Sequence, residues 1–173
     1  MTKRLNEQEV IELIDEEADI IIPIANGEPH RLLDILEENY TKLHNVNVHQ
    51  MLALKERDYI LGKMKGHLSH VSYFLSGATR GAYYDGHIKL VPNVFHDVPR
   101  LLKNTTKMSM IMTVASPMDE HGYFSLGTGA DYVSEFIGPV PFMLEVNELM
   151  PRTFGGNQVH ISQIVGFHRM FVA

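Results

Sequence analysis

The apolar positions of this chain change their period several times. Between Glu7 and Glu17, Val10, Leu13, Ile14 and Glu17 fall at helical spacing behind Asn6, whose side chain can accept from the free N–H groups of a first turn. A capped helix is predicted there, followed by ADIIIPIA as a buried strand and NGEP as a turn. Leu32, Leu33, Leu36, Tyr40 and Leu43 then share one side of a second helix, from His30 to about Leu43, and VNVHQMLAL returns to strand-like composition. The strand HVSYFLS leads into a second turn, SGATRGA, and IKLVP leads into the amphipathic stretch VFHDVPRLL. MSMIMTV is apolar or small at consecutive positions, which suits a strand covered on both faces. A short helical piece from Tyr132 to Ile137 and the strand PFMLEV follow. Repeated β then α units predict an α/β fold with a mostly parallel sheet flanked by helices, spanning residues 1–173 as a single domain.

Composition narrows the classes. Of 173 residues, 45% are hydrophobic and 21% charged, enough apolar matter for a real core. The chain has no cysteine, which removes disulfides, thiolate metal sites and thiol nucleophiles together. No apolar run reaches the roughly 18 residues of a membrane span, and MTKRLNEQEV lacks the apolar stretch of a secretory signal. A cytoplasmic protein without a membrane partner is the expectation. A net charge of -6 argues against nucleic-acid binding, which needs clustered cations. Arg80, Arg100 with Lys103, and Arg152 remain as local basic spots for a small anion.

In an open parallel sheet, sites form outside the carboxyl ends of the strands. NGEP, SGATRGA and SPMDEHGYFSLG should therefore gather on one edge, where Gly27, Gly77, Gly81, Gly122 and Gly127 would let backbone N–H groups approach an anion. The same glycines are ordinary turn residues, and none of the loops matches a phosphate-loop or dinucleotide fingerprint. Ser116, Asp119 and His121 have the residue types of a hydrolytic triad, but triad members converge from separate elements. His67 and His70 have a spacing found in metal sites, without an identifiable third ligand. Met108, Met110 and Met112 read as core filling, and Glu16, Glu17 and Asp19 as a solvated helix end.

Taken in order, GEPHRLLDIL, NVNVHQMLAL, GHLSHVSYFLSGATRGAYYDGHIKLVPNVFHDVPRLL, ASPMDEHGYFSLGTGADY and LEVNELMPRTFGGNQVHIS resemble successive blocks of the acetyl-CoA hydrolase/transferase family, which includes 4-hydroxybutyrate and related acyl-CoA:carboxylate CoA-transferases. The resemblance runs from about Asp19 to about Phe167 and is most specific at SPMDEHGYFSLG and EVNELMPRT. It implies a CoA-transferase-type α/β fold, a coenzyme A thioester as substrate with no permanently bound cofactor, and a glutamate that relays CoA covalently. It also implies that this chain is the N-terminal half and that the nucleophile lies in a second half beyond Ala173, so no residue here inherits the catalytic role. Glu28 and Glu120 are available carboxylates outside the family's catalytic motif. The ending GFHRMFVA departs from the family's acidic linker, as a truncated gene or a chain cut at a domain border would.

By the same resemblance, the three loops wall the acyl or carboxylate side of a cleft. Gly27, Glu28, Gly77, Thr79 and Arg80 are the substrate-side candidates; Arg80 is either a carboxylate clamp or a helix-surface charge. Ser116, Pro117, Asp119, Gly122, Tyr123, Ser125 and Gly127 build the third loop, with Asp119 in an Asx turn, Gly122 at positive φ, Tyr123 packed behind and the serines offering hydroxyls. Partners would be acyl-CoA and carboxylate through the catalytic half, in a homo-oligomer. A non-catalytic binding module and an inactive remnant stay open as alternatives.

Overall fold

The computed structural model describes residues 3–170. Helix α1, Glu7–Glu12, starts on a capping box in which Asn6 accepts from the Glu9 N–H and the Glu9 carboxylate accepts from the Asn6 N–H. It stops five residues short of the expected Glu17, so Leu13 is exposed and Glu16 and Glu17 lie in a turn. Strand β1, Asp19–Ile21, follows, and Asp19 begins a strand instead of ending a helix. Next come α2, His30–Glu38; β2, Val46–Gln50; β3, Leu68–Ser72; α3, Gly77–Tyr84; β4, Lys89–Leu90; α4, Val98–Thr105; and β5, Met110–Ala115. The last elements are β6, Tyr123–Ser125; β7, Phe142–Val146; β8, Gln158–His160; and β9, Ile164–Arg169. The expected helical piece at Tyr132 is a 3-10 segment, Tyr132–Phe136.

Seven strands form one sheet in the order β4-β3-β2-β1-β5-β7-β9, and every pairing in it is parallel. Both faces are covered, which explains why the strands read as continuous apolar runs. On one face Ile20, Ile22, Val48, Met110, Met112 and Met143 meet Leu32, Leu33 and Leu36 of α2. On the other, Ile21, Ile111, Phe142 and Leu144 meet Val98 and Leu102 of α4 and Phe136. All of β5 is buried, and Met110 and Met112 fill the core, whereas Met108 sits before the strand at φ 44° and is only partly buried. Strands β6 and β8 pair antiparallel in a small second sheet, so the glycine-rich stretch after β5 is a hairpin arm and not a free loop.

Helix α2 has no side-chain cap of its own at Pro29. Glu145, buried on β7, reaches across and accepts from the Leu32 N–H at 3.0 Å. A helix N-terminus is left with unpaired N–H groups and partial positive charge, so this carboxylate satisfies both. Burial still dominates its ionisation and raises the carboxyl above the ordinary glutamate value.

Candidate functional site

The carboxyl ends of β1, β3 and β5 carry NGEP, SGATRGA and SPMDEHGYFSLG on one edge of the sheet, joined there by the segment after β7 that contains Glu148 to Thr153. The hairpin after β5 is built around Asp119. Its Oδ1 accepts from the N–H groups of His121 at 3.0 Å and Tyr123 at 2.8 Å, an Asx turn, and these two bonds hold the carboxyl below its ordinary value. The turn needs Gly122 at φ +86°, a conformation that costs a side-chain-bearing residue energy. Arg152 then clamps the arm. One guanidinium nitrogen donates to the Pro117 and Tyr123 carbonyls at 3.0 and 2.8 Å, while the other lies 3.2 Å from Asp119 Oδ2 and donates to Gln158. Arg152 is thus not a basic spot waiting for an anion; its donors are spent on the loop.

The serines of the hairpin are likewise committed inward. Ser125 is fully buried; its hydroxyl donates to the Thr153 carbonyl at 2.8 Å and accepts from the N–H groups of Gly127 and Thr153. Ser116 Oγ, also buried, accepts from the Ser125 N–H. Neither offers a hydroxyl to a ligand. Tyr123 does not pack behind the loop: it is 41% exposed, with its ring 4.8 Å from that of His160. His121 is exposed, with Nε2 3.5 Å from Glu120, and has no contact with Ser116 among the described residues, so no triad forms there. Pro117 is exposed at the start of the arm, and Gly127, at φ +57°, fits against Pro151, whose carbonyl oxygen would lie 2.7 Å from an added Cβ.

Below the first loop lies a buried polar floor. Glu28 is 2% exposed; one oxygen accepts from Gln50 Nε2 at 2.8 Å, and the other lies 3.3 Å from His30 Nδ1 and 3.5 Å from Arg57 Nε. Burial works to raise the carboxyl, but the hydrogen bonds from His30 and Gln50 and the nearby Arg57 charge outweigh it and hold Glu28 below the ordinary value. Arg57 is also 2.8 Å from Asp34 and 2.9 Å from Glu37. Beside this group, Gln50 Oε1, the Tyr59 hydroxyl and both ring nitrogens of His70 are buried without a hydrogen-bond partner among the described residues. Burial pushes His70 down to about 3, so its ring is neutral. His67 donates from Nδ1 to the Leu43 carbonyl instead of joining it, and no metal-type cluster exists among the described residues.

Two residues of GADY fix the loops over that floor. Asp131 Oδ2 accepts from the Ile24 N–H at 2.7 Å and Oδ1 from the Val133 N–H at 3.0 Å. The Tyr132 hydroxyl donates to the Ile22 carbonyl at 2.5 Å and accepts from the Met51 N–H at 3.3 Å, tying together the ends of β1 and β2. Gly27 packs directly on Gly129, where an added Cβ on Gly129 would come within 2.7 Å of the Gly27 Cα. Sequence reasoning missed Asp131, Tyr132, Arg57 and Gly129. An Asp-Tyr pair or a lone arginine has no spacing signal, because its partners are 20 to 110 residues away in the chain.

The second loop is less open than its sequence implies. Ser76 and Thr79 form the capping box of α3, and Thr79 is fully buried with its hydroxyl accepting from the Ser76 N–H at 2.9 Å. Gly77 is exposed and faces open space, and Arg80 is exposed on α3, donating to the Leu75 carbonyl at 3.3 Å. Gly27, Glu28, Gly77, Thr79 and Arg80 thus share an edge without closing one cavity among the described residues.

That edge is unusually apolar. Leu54 follows β2, Phe74 follows β3, Val94 and Phe95 follow β4, Met118 follows β5, and Leu149 and Phe154 follow β7; all are exposed, Phe154 by 83%. Among proteins of known function, the chain is 35% identical over 84% of its length to a succinyl-CoA:cyclohexane-1-carboxylate CoA transferase of Geobacter metallireducens, covering 33% of that protein. It is 28% identical over 94% of its length to a 4-hydroxybutyrate coenzyme A transferase of Clostridium kluyveri, covering 38% of it. It therefore spans about a third of the length of these relatives. The crystal structure of RipA from Yersinia pestis superposes on 98% of the chain, and the chain on 43% of it, with a TM-score of 0.87 and 26% identity. A 4-hydroxybutyrate CoA-transferase from Porphyromonas gingivalis, at 22% identity and a TM-score of 0.74 over 95% of this chain and 38% of its own, has the same fold. With the acetyl-CoA hydrolase/transferase N-terminal domain matching residues 1–165, the chain belongs to the acetyl-CoA hydrolase/transferase family.

Proposed function

We propose that this chain is the N-terminal half of an acyl-CoA:carboxylate CoA-transferase and forms one wall of an active-site cleft whose other wall, a catalytic half, carries the glutamate nucleophile. One observation carries the reading: a family match over nearly the whole chain, against relatives about three times as long. The exposed apolar side chains that follow five different strands on the carboxyl edge support it, since large exposed apolar patches mark missing partners. In this reading a coenzyme A thioester and a carboxylate meet across the cleft. Gly77 and Arg80 face it, Gly27, Glu28 and Thr79 brace it from below, and the Asp119 hairpin keeps its shape without touching substrate. The second half is the continuation of the same polypeptide or a separate subunit, the assembly works as a homo-oligomer in the cytoplasm, and no cofactor stays bound.

The test is to incubate the chain with acetyl-CoA, reduce with borohydride and search by mass spectrometry for a reduced glutamyl residue. The expected result is no modification of the chain alone, and transferase activity once a family C-terminal half is added. A stoichiometric modification at Glu28 or Glu120 would make this half catalytic by itself and overturn the division of labour. A well-folded mixture with no activity would overturn the transferase reading.

A further inference from the structure

A hollow of about 300 Å³ opens on the α4 face of the sheet, with Asp19, Asn47, His49, Tyr73, Lys89 and Thr105 in its lining. The parallel register places Asp19 beside Asn47, His49 beside Val71, and Val71 beside Lys89, so alternate positions of four strands point the same way. At the centre, His49 Nε2 is 3.1 Å from Asp19 Oδ1 and Nδ1 is 3.1 Å from the Tyr73 hydroxyl. Asp19 is fully engaged: Oδ1 also accepts from Asn47 at 3.1 Å and Oδ2 from the Lys107 N–H at 2.9 Å. Burial works to raise its carboxyl, but these bonds win and hold it below the ordinary value, so it stays a carboxylate.

A carboxylate only accepts, so the proton of a neutral His49 sits on Nε2, and Nδ1 accepts from the Tyr73 O–H. Burial keeps His49 below its ordinary value and pushes Tyr73 up to about 12. Near the C-terminus of α4, the Leu101 carbonyl accepts from the Thr105 hydroxyl and the Leu102 carbonyl from the Thr106 hydroxyl and N–H. At the mouth stands Lys89, exposed and outside every ion pair among the described residues. The hollow thus offers a cation outside those ion pairs, a buried phenol bonded to His49, and an imidazole that can take up a proton behind it. Ligand sites run from about 300 to 1,000 Å³, so this one suits a short acid and not a nucleotide.

We propose that this hollow binds a small carboxylate together with one proton. The carboxylate lies against the Lys89 ammonium and accepts the Tyr73 O–H. Tyr73 no longer donates to Nδ1, and a solvent proton takes that position. His49 becomes an imidazolium that donates to the Tyr73 oxygen from Nδ1 and to Asp19 from Nε2. One anion and one proton enter, one N–H bond forms, and the pocket's net charge is unchanged, which is why burial of the anion draws the proton with it. Asp19 on β1 favours the imidazolium, Lys89 on β4 opposes it, Tyr73 after β3 is neutral, and His70 on β3 is buried and neutral. The ligand's charge tips that balance.

The experiment follows the histidine side-chain nitrogens of the full chain by NMR during titration with acetate or butyrate, with inorganic phosphate in parallel, and uses calorimetry in two buffers of different ionisation enthalpy. The expected result is saturable binding in which His49 moves from the neutral to the imidazolium pattern. About one proton is taken up per acetate, and affinity is higher at pH 6 than at pH 8. Lys89→Met and Tyr73→Phe should each weaken binding at least tenfold while far-ultraviolet circular dichroism stays native. Lys89 is exposed, so its variant carries the test if Tyr73→Phe misfolds. No saturable shift, acetate bound with His49 still neutral, a preference for phosphate, or affinity unchanged by Lys89→Met would each overturn the proposal. The last result would place the carboxylate elsewhere, as at the carboxyl edge.

Discussion

Replacing Tyr132 by Phe isolates one hydroxyl. The ring is buried and keeps its edge contact with Phe95, 6.3 Å between centroids, so packing survives and only the oxygen is lost. Two groups lose a partner: the carbonyl of fully buried Ile22, bonded at 2.5 Å, and the N–H of partly buried Met51, bonded at 3.3 Å. A buried group left unpaired costs about 1–3 kcal/mol. The shorter, deeper bond should account for most of the effect, so the expected loss is about 2 kcal/mol. With an unfolding entropy of about 2.1 cal/mol/K per residue, the 173-residue chain has about 360 cal/mol/K, and Tm should fall by about 5–6 °C. Urea unfolding with an unchanged m-value measures the free energy, and hydrogen exchange should show the Met51 amide opening faster than in the parent chain. A loss below about 0.5 kcal/mol with Met51 protection intact would refute the view that this hydroxyl staples the ends of β1 and β2.

The Asp131 carboxyl is raised to about 6, chiefly by burial and against the bonds it accepts. The native state therefore binds more protons than the unfolded chain between about pH 4 and pH 6, and this group's contribution to stability falls as pH rises through that window. Subtracting the urea stability of Asp131→Asn from that of the parent at pH 4 and pH 7 should reveal a difference on the order of 2 kcal/mol with that sign; a flat difference would refute it. Gly122→Val should cost about 1–3 kcal/mol through the φ of +86°, whereas Gly77→Ala, at a position facing open space, should not lower Tm. Glu28→Ala leaves Gln50 and Arg57 short of an acceptor and should cost about 2–4 kcal/mol, reduced because Asp34 and Glu37 still neutralise Arg57. Glu28→Gln should recover part of that loss in thermal denaturation.

The alternation of apolar runs and helical faces was enough to derive a parallel α/β sheet, because strands covered on both sides must be apolar at every position, as β5 is. Local chemistry was legible on the same terms. Asn6 caps its helix, Asp119 makes its Asx turn and Gly122 adopts positive φ because each depends on neighbours within four residues. Where α1 ends was not legible, and the reading of Asp19 as part of a solvated helix end failed although ADIIIPIA was correctly read as a strand, because the parallel pairing of β1 with β2 starts at Asp19. The site needed the fold for the same reason. Arg152 appeared free until the hairpin closed on it, Tyr123 appeared internal until β8 placed His160 beneath it, and Glu145 had no visible task until β7 came under the start of α2. Glu28, Gln50, Arg57, Asp131 and Tyr132 come from distant segments, and their meaning lies in distances that one-dimensional spacing does not contain. Sequence alone determined the repeating layers, which rest on periodicity and local turns, and its motif blocks carried the resemblance to the family; only the tertiary structure decided which polar groups are spent inside the protein and which face outward, because burial and pairing are properties of the folded surface.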